Sequence, residues 1–184
     1  MKNAVRLIVA CVLGAVPVVM LGASPARAEV LASGPTGFVV EHRVEFGVEA
    51  ASAYEAFIAI GSWWSSAHSF SGDAKNLTID ARPGGCWCET LPNGGFVEHL
   101  RVVHAAPGSM LVFSGGLGPL QSMGVAGALT VSFRSVGTGM TTVALRYDVG
   151  GRDAKDLLQM APAVDGVLSE QIARYRRFVA TGTP

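Results

Sequence analysis

The feature that most constrains this fold is a series of short alternating segments, separated by turn residues, between residues 76 and 149. The clearest turn lies at residues 92–95, where Asn93 and the glycine after it supply the positive φ angles that a tight hairpin needs. Residues 107–108 and 137–139 carry Pro-Gly and Gly-Thr-Gly turn sequences. These signals predict roughly six short antiparallel strands.

Helical patterns flank this series of strands. Residues 49–60 carry apolar side chains at three- and four-residue spacing, which predicts a helix. Residues 38–46 before it alternate as a strand, with His42 on the buried face. Near the end of the chain, Pro162 is placed as a first-turn residue and an apolar stripe follows it, which predicts a long amphipathic helix. Residues 153–160 are predicted to form a separate short helical turn.

Strands that are segregated from helices favour an α+β fold with an antiparallel sheet over a repeated βαβ arrangement. A curved sheet wrapped around the long C-terminal helix would leave a space between the two, and we expect a ligand pocket there. The Gly-rich loop at residues 115–127 holds apolar side chains without a regular period. We therefore predict that this loop folds over something apolar as a flexible lid.

The first 28 residues have the pattern of an export leader. Two basic residues precede an apolar run, and residues 26–28 have the small-x-small form of a cleavage site. The run is interrupted by glycine and proline and is short for a bilayer span of ~20 residues. We predict a signal peptide at 1–28 that is cleaved near Ala28, a flexible tether at 29–37, and one domain at 38–182, located in the periplasm or outside the cell.

The charge of the chain gives no reason to expect nucleic acid or an anionic membrane as a partner. The sequence has 14 basic and 14 acidic residues, and removal of the leader would take the formal net charge from 0 to −3. No stable membrane anchor is expected after that removal. The sequence contains no Gly-x-Ser-x-Gly, phosphate-loop or His-Glu-x-x-His motif, and no cofactor is predicted.

Cys86 and Cys88 lie two apart on a predicted strand, so their side chains point to the same side. Three interpretations stay open. The pair could line the core as two small apolar groups. A disulfide could join them, although two strand steps put their Cα atoms ~6.6 Å apart, near the upper limit for a bridge. They could also bind a metal together with His42, His68 or His99, if the fold brings these residues close.

The polar residues near the hairpin have both structural and functional interpretations. Glu89 and Glu98 lie on its opposing strands, and surface ion pairs are the commoner outcome for such residues than acid–base catalysis, so we favour a structural role. His42 on an apolar face is more often a hydrogen-bonded core residue, but in a pocket it would orient a ligand.

The order of elements and several motifs resemble the START-like helix-grip (SRPBCC) superfamily. Within it, they are similar to the branch of the activator of Hsp90 ATPase homologue domain and the polyketide cyclase and lipid-transport proteins. The resemblance covers residues 38–179 and is carried by Ala53-Tyr54-Glu55-Ala56-Phe57 leading to Trp63-Trp64, by Arg82-Pro83-Gly84-Gly85 followed by Trp87 and Glu89, by Pro107-Gly108, and by the terminal helix.

This resemblance implies a sheet wrapped around the C-terminal helix, with a cavity that in relatives takes lipids, polyketides, hormones or other apolar molecules. Because Hsp90 is cytosolic and this chain has an export pattern, Hsp90 is not expected as a partner. No catalytic residue is carried over from the superfamily, and Glu89 is transferred only as a match to its Gly-Gly-x-Trp/Tyr-x-Glu pattern.

The leading functional hypothesis is an exported protein that binds a small apolar molecule, lipid-, polyketide- or aromatic-like, between the sheet and the C-terminal helix. The alternative is a cyclase- or hydrolase-like enzyme that uses a glutamate or histidine in the same cavity. A third hypothesis is a metal or thiol-redox protein that uses Cys86 and Cys88. No catalytic or metal-binding residue is assigned. The candidate ligand-binding residues are His42, Trp63, Trp64, Cys86, Cys88, Glu89, Met110, Phe113, Leu120, Met123, Tyr147 and Leu168.

Overall fold

An antiparallel sheet curves around a long C-terminal helix in the computed structural model, which describes residues 27–151 and 154–184. The predicted leader lies outside this range except for its last two residues. The strands are β1 (Arg27–Gly34), β2 (Gly37–Phe46), β3 (Leu77–Ile79), β4 (Cys86–Thr90), β5 (Phe96–Ala106), β6 (Met110–Ser114), β7 (Ala126–Gly137) and β8 (Met140–Gly150). The helices are α1 (Ala50–Ile58) and α2 (Ala154–Thr181).

The strands follow the order β1-β2-β8-β7-β6-β5-β4-β3, and every neighbouring pair is antiparallel. This confirms the predicted α+β fold of the helix-grip type. The alternation of apolar and polar residues in the sequence corresponds to burial of one face of the sheet, because alternate side chains of β2 and β8 are enclosed. That inner face packs against α2, where Leu168, Ile172 and Tyr175 are buried.

The hairpin between β4 and β5 forms as the Asn-Gly sequence predicts. Asn93 has φ 62° and Gly94 has φ 80°, so both residues adopt the left-handed conformation that reverses the chain. The N–H of Leu91 donates to the carbonyl of Gly95 at 2.8 Å and closes the turn.

The C-terminal helix is longer than predicted. The segment predicted as a separate turn at residues 153–160 instead belongs, from Ala154 onward, to one helix of 28 residues that runs to Thr181, and Asp153 lies outside the described residues. Pro162 is therefore inside the helix and not in its first turn. Proline removes one intrahelical hydrogen bond. Leu157 and Ala161 before it are buried, as Leu168 is after it, so burial of one apolar stripe supports the helix on both sides of Pro162.

The predicted tether at residues 29–37 is wrong for most of its length. Arg27–Gly34 forms the edge strand β1, which pairs with β2 from Arg27 opposite Arg43 to Gly34 opposite Gly37. Pairing satisfies the backbone groups along the edge of β2, which a side-chain pattern does not reveal. Val30 and Leu31 are exposed, which explains why this strand has no apolar alternation.

The helix predicted at residues 49–60 ends earlier than expected. α1 stops at Ile58, and a short 3-10 turn at Ile60–Ser62 follows. The backbone there leads directly into the two adjacent tryptophans. In the described residues, no helix has the length and apolar character to span a bilayer.

Candidate functional site

A cavity of about 290 Å³ lies between α2, the inner face of β3 to β5, and two loop segments. One segment is residues 66–70, and the other is the start of the Gly-rich loop at 115–127. Most of the lining is apolar, and only three of its side chains are polar. The lining residues are Trp64, His68, Ser69, Phe70, Leu77, Trp87, His99, Leu117, Gly118, Pro119, Met160, Ala163, Val164, Val167 and Leu168.

A β-bulge turns His99 towards the inside of the sheet. Trp87 pairs with Leu100 and Cys88 pairs with Glu98, so His99 is an extra residue on β5 without a partner on β4. As a result His99 and Leu100 are both buried although they are adjacent in sequence. A regular strand would have placed one of them outside.

Glu89 receives hydrogen bonds from three directions. His99 Nε2 lies 2.9 Å from Glu89 Oε2, and the backbone N–H groups of Phe70 and Ser71 donate to the same carboxylate at 3.1 and 2.5 Å. Burial opposes ionisation of this carboxyl, but the hydrogen bonds from Ser71, Phe70 and His99 outweigh it and lower the pKa of Glu89 below its usual 4.5. The site thus contains a buried anion that orients a histidine on the cavity wall.

A second histidine–carboxylate pair lies beside the cavity, at its mouth. His68 Nε2 is 3.0 Å from Glu170 Oε2 of α2, and both side chains are partly exposed. The hydrogen bond from His68 lowers the pKa of the Glu170 carboxyl. Solvent screening weakens this pair compared with the buried one.

The two adjacent tryptophans have separate roles. Trp63 lies in the core, where its Nε1 donates to the carbonyls of Ala56 and Phe57. Trp64 lines the cavity, and its Nε1 donates at 2.8 Å to the carbonyl of His68, which holds the segment at the mouth. Trp64 also packs edge-to-face on Trp87 with ring centroids 4.9 Å apart.

Tyr147 fastens the Gly-rich loop over the cavity. Its hydroxyl donates to the carbonyl of Gly115 at 2.9 Å and accepts from the N–H of Leu117 at 2.9 Å. Burial raises the pKa of this phenol to about 12, although the Leu117 N–H opposes the shift. A side chain at Gly127 would collide with the Gly115 carbonyl and with the Tyr147 ring, so glycine is required where the loop meets the sheet.

Cys86 and Cys88 form a disulfide, which is one of the three alternatives that the sequence leaves open. Their Cα atoms are 5.3 Å apart, closer than two regular strand steps. Both lie on the face of β4 opposite Trp87 and Glu89, and neither lines the cavity. The described residues contain no group of three or more His, Cys, Asp or Glu side chains placed to hold a metal ion.

His42 lies on the inner face of β2, as the alternation predicts, and it is only 1% exposed. It faces Asp165 of α2 and is not part of the cavity lining. Burial lowers the pKa of this imidazole, and the Asp165 carboxylate offsets only part of that effect.

The structure brings together only some of the candidate ligand-binding residues. Trp64 and Leu168 line the cavity, and Glu89 lies directly behind its wall. Phe113 and Leu120 are fully buried core residues, and Phe113 packs on Trp87. Met110 and Met123 are partly buried and outside the lining.

The candidate ligand-binding residues omit the three polar residues that line the cavity, His68, Ser69 and His99. His99 is not among the candidate ligand-binding residues, because alternation alone leaves the inner face of β5 undecided and does not show a bulge. Trp87 belongs to the family motif but not to the candidate ligand-binding residues, although its position two before Glu89 places both side chains on one strand face. The lining residues of α2 could have been found from the helical period around Leu168.

Solved structures share this fold at low sequence identity. CalU16 from Micromonospora echinospora is 12% identical with a TM-score of 0.54, over 86% of this chain and 86% of that one. A protein from Rhodobacter sphaeroides is 18% identical with a TM-score of 0.54, over 84% and 98%. A protein from Mycobacterium smegmatis is 14% identical with a TM-score of 0.53, over 86% and 99%. Neither a protein-family profile nor a curated protein sequence matches the chain. These likenesses establish the fold and leave the function to the site.

Proposed function

We propose that this protein binds a small apolar molecule in the cavity between the sheet and α2. The observation that carries the proposal is the cavity itself, whose volume of about 290 Å³ is near the lower end of the usual range for small-molecule sites. Only His68, Ser69 and His99 contribute polar side chains to its lining. Apolar ligand surface buried there would contribute ~25 cal/mol per Å² to affinity.

The test combines a ligand screen with a pair of matched variants on α2. Ala163 and Ala173 are both exposed on this helix, but only Ala163 lines the cavity. We expect a compound from a library of lipids and small aromatic molecules to raise the melting temperature by about 5–10 °C when present at a hundred times its Kd. Ala163→Trp should abolish this shift by filling the mouth, whereas Ala173→Trp should retain it.

Two results would contradict the proposal. One is a ligand shift that survives unchanged in Ala163→Trp, because the ligand would then bind elsewhere. The other is a screen without any shift, together with no small molecule extracted from the purified protein and detected by mass spectrometry.

A second candidate function, proton-transfer catalysis, is favoured by the buried Glu89–His99 pair. An imidazole held by a carboxylate beside an apolar cavity has the arrangement of a general base. It would take a proton from an acidic C–H of a small apolar ketone and return a proton from solvent. Deuterium exchange of such ketones in D₂O, followed by NMR, tests this idea. His99→Gln should slow the exchange about 10²–10⁴-fold, and an unchanged rate would exclude His99 as the base.

Export of the protein is a separate proposal, supported by the leader pattern of residues 1–28 and by the disulfide between Cys86 and Cys88. Disulfides persist mainly in oxidising compartments. Intact mass spectrometry of the protein from fractionated cells should find a chain that begins near Glu29. A cytosolic full-length chain with two free thiols in this pair would contradict the proposal.

A further inference from the structure

We propose that His99 selects apolar ligands that carry a hydroxyl group, such as small phenols or alcohols. This inference rests on the proposed binding function and adds the polar group that a ligand must present. It is carried by the hydrogen bonds around Glu89, which determine which nitrogen of His99 holds the proton.

The Glu89 carboxylate accepts from two backbone N–H groups as well as from His99. An ionised carboxylate has no proton to donate. The nitrogen of His99 that faces it, Nε2, must therefore carry the hydrogen of this bond. In the neutral imidazole the other nitrogen, Nδ1, is then an acceptor with a free lone pair.

The free nitrogen of His99 has access to the cavity. Within residues 27–151 and 154–184, Nδ1 has no hydrogen-bond partner, yet it is not one of the fully enclosed polar atoms that lack one. The residue is 5% exposed and forms part of the cavity wall, so the space that Nδ1 reaches is the cavity. A nearby donor, Nε1 of Trp87, is fully enclosed and does not reach that space.

An acceptor in an apolar wall distinguishes ligands by the polar group they present. A hydroxyl donates to Nδ1, whereas an ether of similar size offers only lone pairs and leaves both Nδ1 and the ether oxygen unpaired. A fatty-acid carboxylate would place a second negative charge near Glu89, so we expect it to be rejected as well. The other polar lining residues, His68 and Ser69, are partly exposed at the mouth, where water can satisfy either kind of ligand.

The experiment compares 4-alkylphenols with their methyl ethers by calorimetry at pH 8, where a free imidazole is neutral and a phenol retains its proton. The wild-type protein should bind each phenol about 10- to 100-fold more tightly than its ether. In His99→Gln the amide nitrogen can still donate to Glu89, but the Nδ1 acceptor is gone. This variant should bind both members of each pair with the affinity that the wild type shows for the ether.

The matched control is His104→Gln, which changes an exposed histidine of the same strand outside the cavity lining and should keep the preference for the phenol. Equal binding of phenol and ether by the wild type would overturn the inference while leaving the binding proposal intact. A preference for the phenol that persists in His99→Gln would likewise overturn the inference and leave the binding proposal intact. If no member of the series binds at any alkyl length, this inference fails, whereas the proposed function is decided by the wider ligand screen with Ala163→Trp.

A spectroscopic readout covers the case in which His99→Gln does not fold. Long-range ¹H–¹⁵N spectra of the wild-type protein should show His99 with its proton on Nε2. The phenol should shift the Nδ1 resonance of His99, and the ether should not. A proton on Nδ1 in the free protein would overturn the inference.

Discussion

The chain buries two histidines beside carboxylates, and only one of the two pairs is hydrogen-bonded. His99 Nε2 lies 2.9 Å from Glu89 Oε2 within a network of three donors. His42 Nε2 lies 3.1 Å from Asp165 Oδ1, but the two groups are aligned too poorly for a hydrogen bond, and both atoms are enclosed without a partner. A histidine and a carboxylate at nearly the same distance thus form two different interactions.

The difference lies in what else surrounds each carboxylate. Two backbone N–H groups help to keep Glu89 ionised in a buried position, and this anion fixes His99. Among the residues that the structure describes, no backbone N–H donates to Asp165, and burial lowers the pKa of the neighbouring imidazole. Proximity of an imidazole to a carboxylate is therefore not sufficient for a hydrogen bond here. The surrounding donors turn one pair into a polar anchor, and their absence leaves the other as a packing contact between β2 and α2.

Removal of each carboxylate should give the largest contrast between the pairs. Glu89→Ala leaves His99 and two backbone N–H groups buried without an acceptor, so we expect a loss of about 3–5 kcal/mol in the free energy of unfolding. Asp165→Ala removes a partly exposed carboxylate whose enclosed oxygen accepts no hydrogen bond, and we expect a change below about 1 kcal/mol. Urea unfolding measures both values. Equal losses would mean that His42 and Asp165 are coupled in solution as strongly as the buried pair.

The two histidines also differ in how far the sequence predicts them. His42 lies on a regular strand, so period-two alternation placed it correctly on the inner face. His99 is an extra residue in a bulge, and alternation on β5 therefore fails near the site. Bulges depend on the pairing of two strands, which a single segment of sequence does not encode.

The same distinction between local sequence patterns and tertiary pairing holds for the rest of the molecule. Turn residues, apolar periods and the order of elements were sufficient to predict the α+β fold, because each can be read along the sequence without knowledge of tertiary contacts. β1 and the continuous helix through Pro162 were missed because tertiary contacts determine them. The cavity was predicted as a space between sheet and helix, but most of its lining comes from segments that meet only in the folded chain.

Loss of the disulfide should lower the free energy of unfolding by less than Glu89→Ala does. It should change the surroundings of His99 but not those of His42. Cys86 and Cys88 lie on β4 opposite the bulge that contains His99, whereas the strand of His42 is regular and far along the sheet. A bridge that closes so short a loop contributes about 1–2 kcal/mol in the chain-entropy description.

The double variant Cys86→Ser/Cys88→Ser should lose about that amount in urea unfolding. We also expect it to shift the imidazole NMR signals of His99 and leave those of His42 unchanged, because β4 can relax towards regular strand spacing. Reduction of the wild-type protein serves as the control for the substitutions. An unchanged His99 spectrum would show that the bulge is held by the Glu89 network alone.

The pH dependence of stability should give the smallest and most gradual effect, because protonation changes the charge of a side chain without removing its atoms. For Glu89, a pKa lowered below 4.5 means that its contribution is present above pH 4.5 and is lost as the pH falls through the folded value. For His42, a pKa lowered below 6.5 means that the unfolded chain binds the proton more tightly. Stability should therefore begin to fall already as the pH drops below 6.5.

These two windows separate the pairs in one experiment, the free energy of urea unfolding measured from pH 8 to pH 3. The difference between the wild type and His42→Gln should change between pH 6.5 and the lowered value, and the difference for Glu89→Gln should change only below pH 4.5. The free energy of unfolding of the wild type could instead rise as the pH falls from 7.5 to 5.5. If His42→Gln abolished that rise, folding would raise the pKa of His42 instead of lowering it. Asp165 would then stabilise the imidazolium of His42, and the contrast between the two pairs would reduce to access to the cavity.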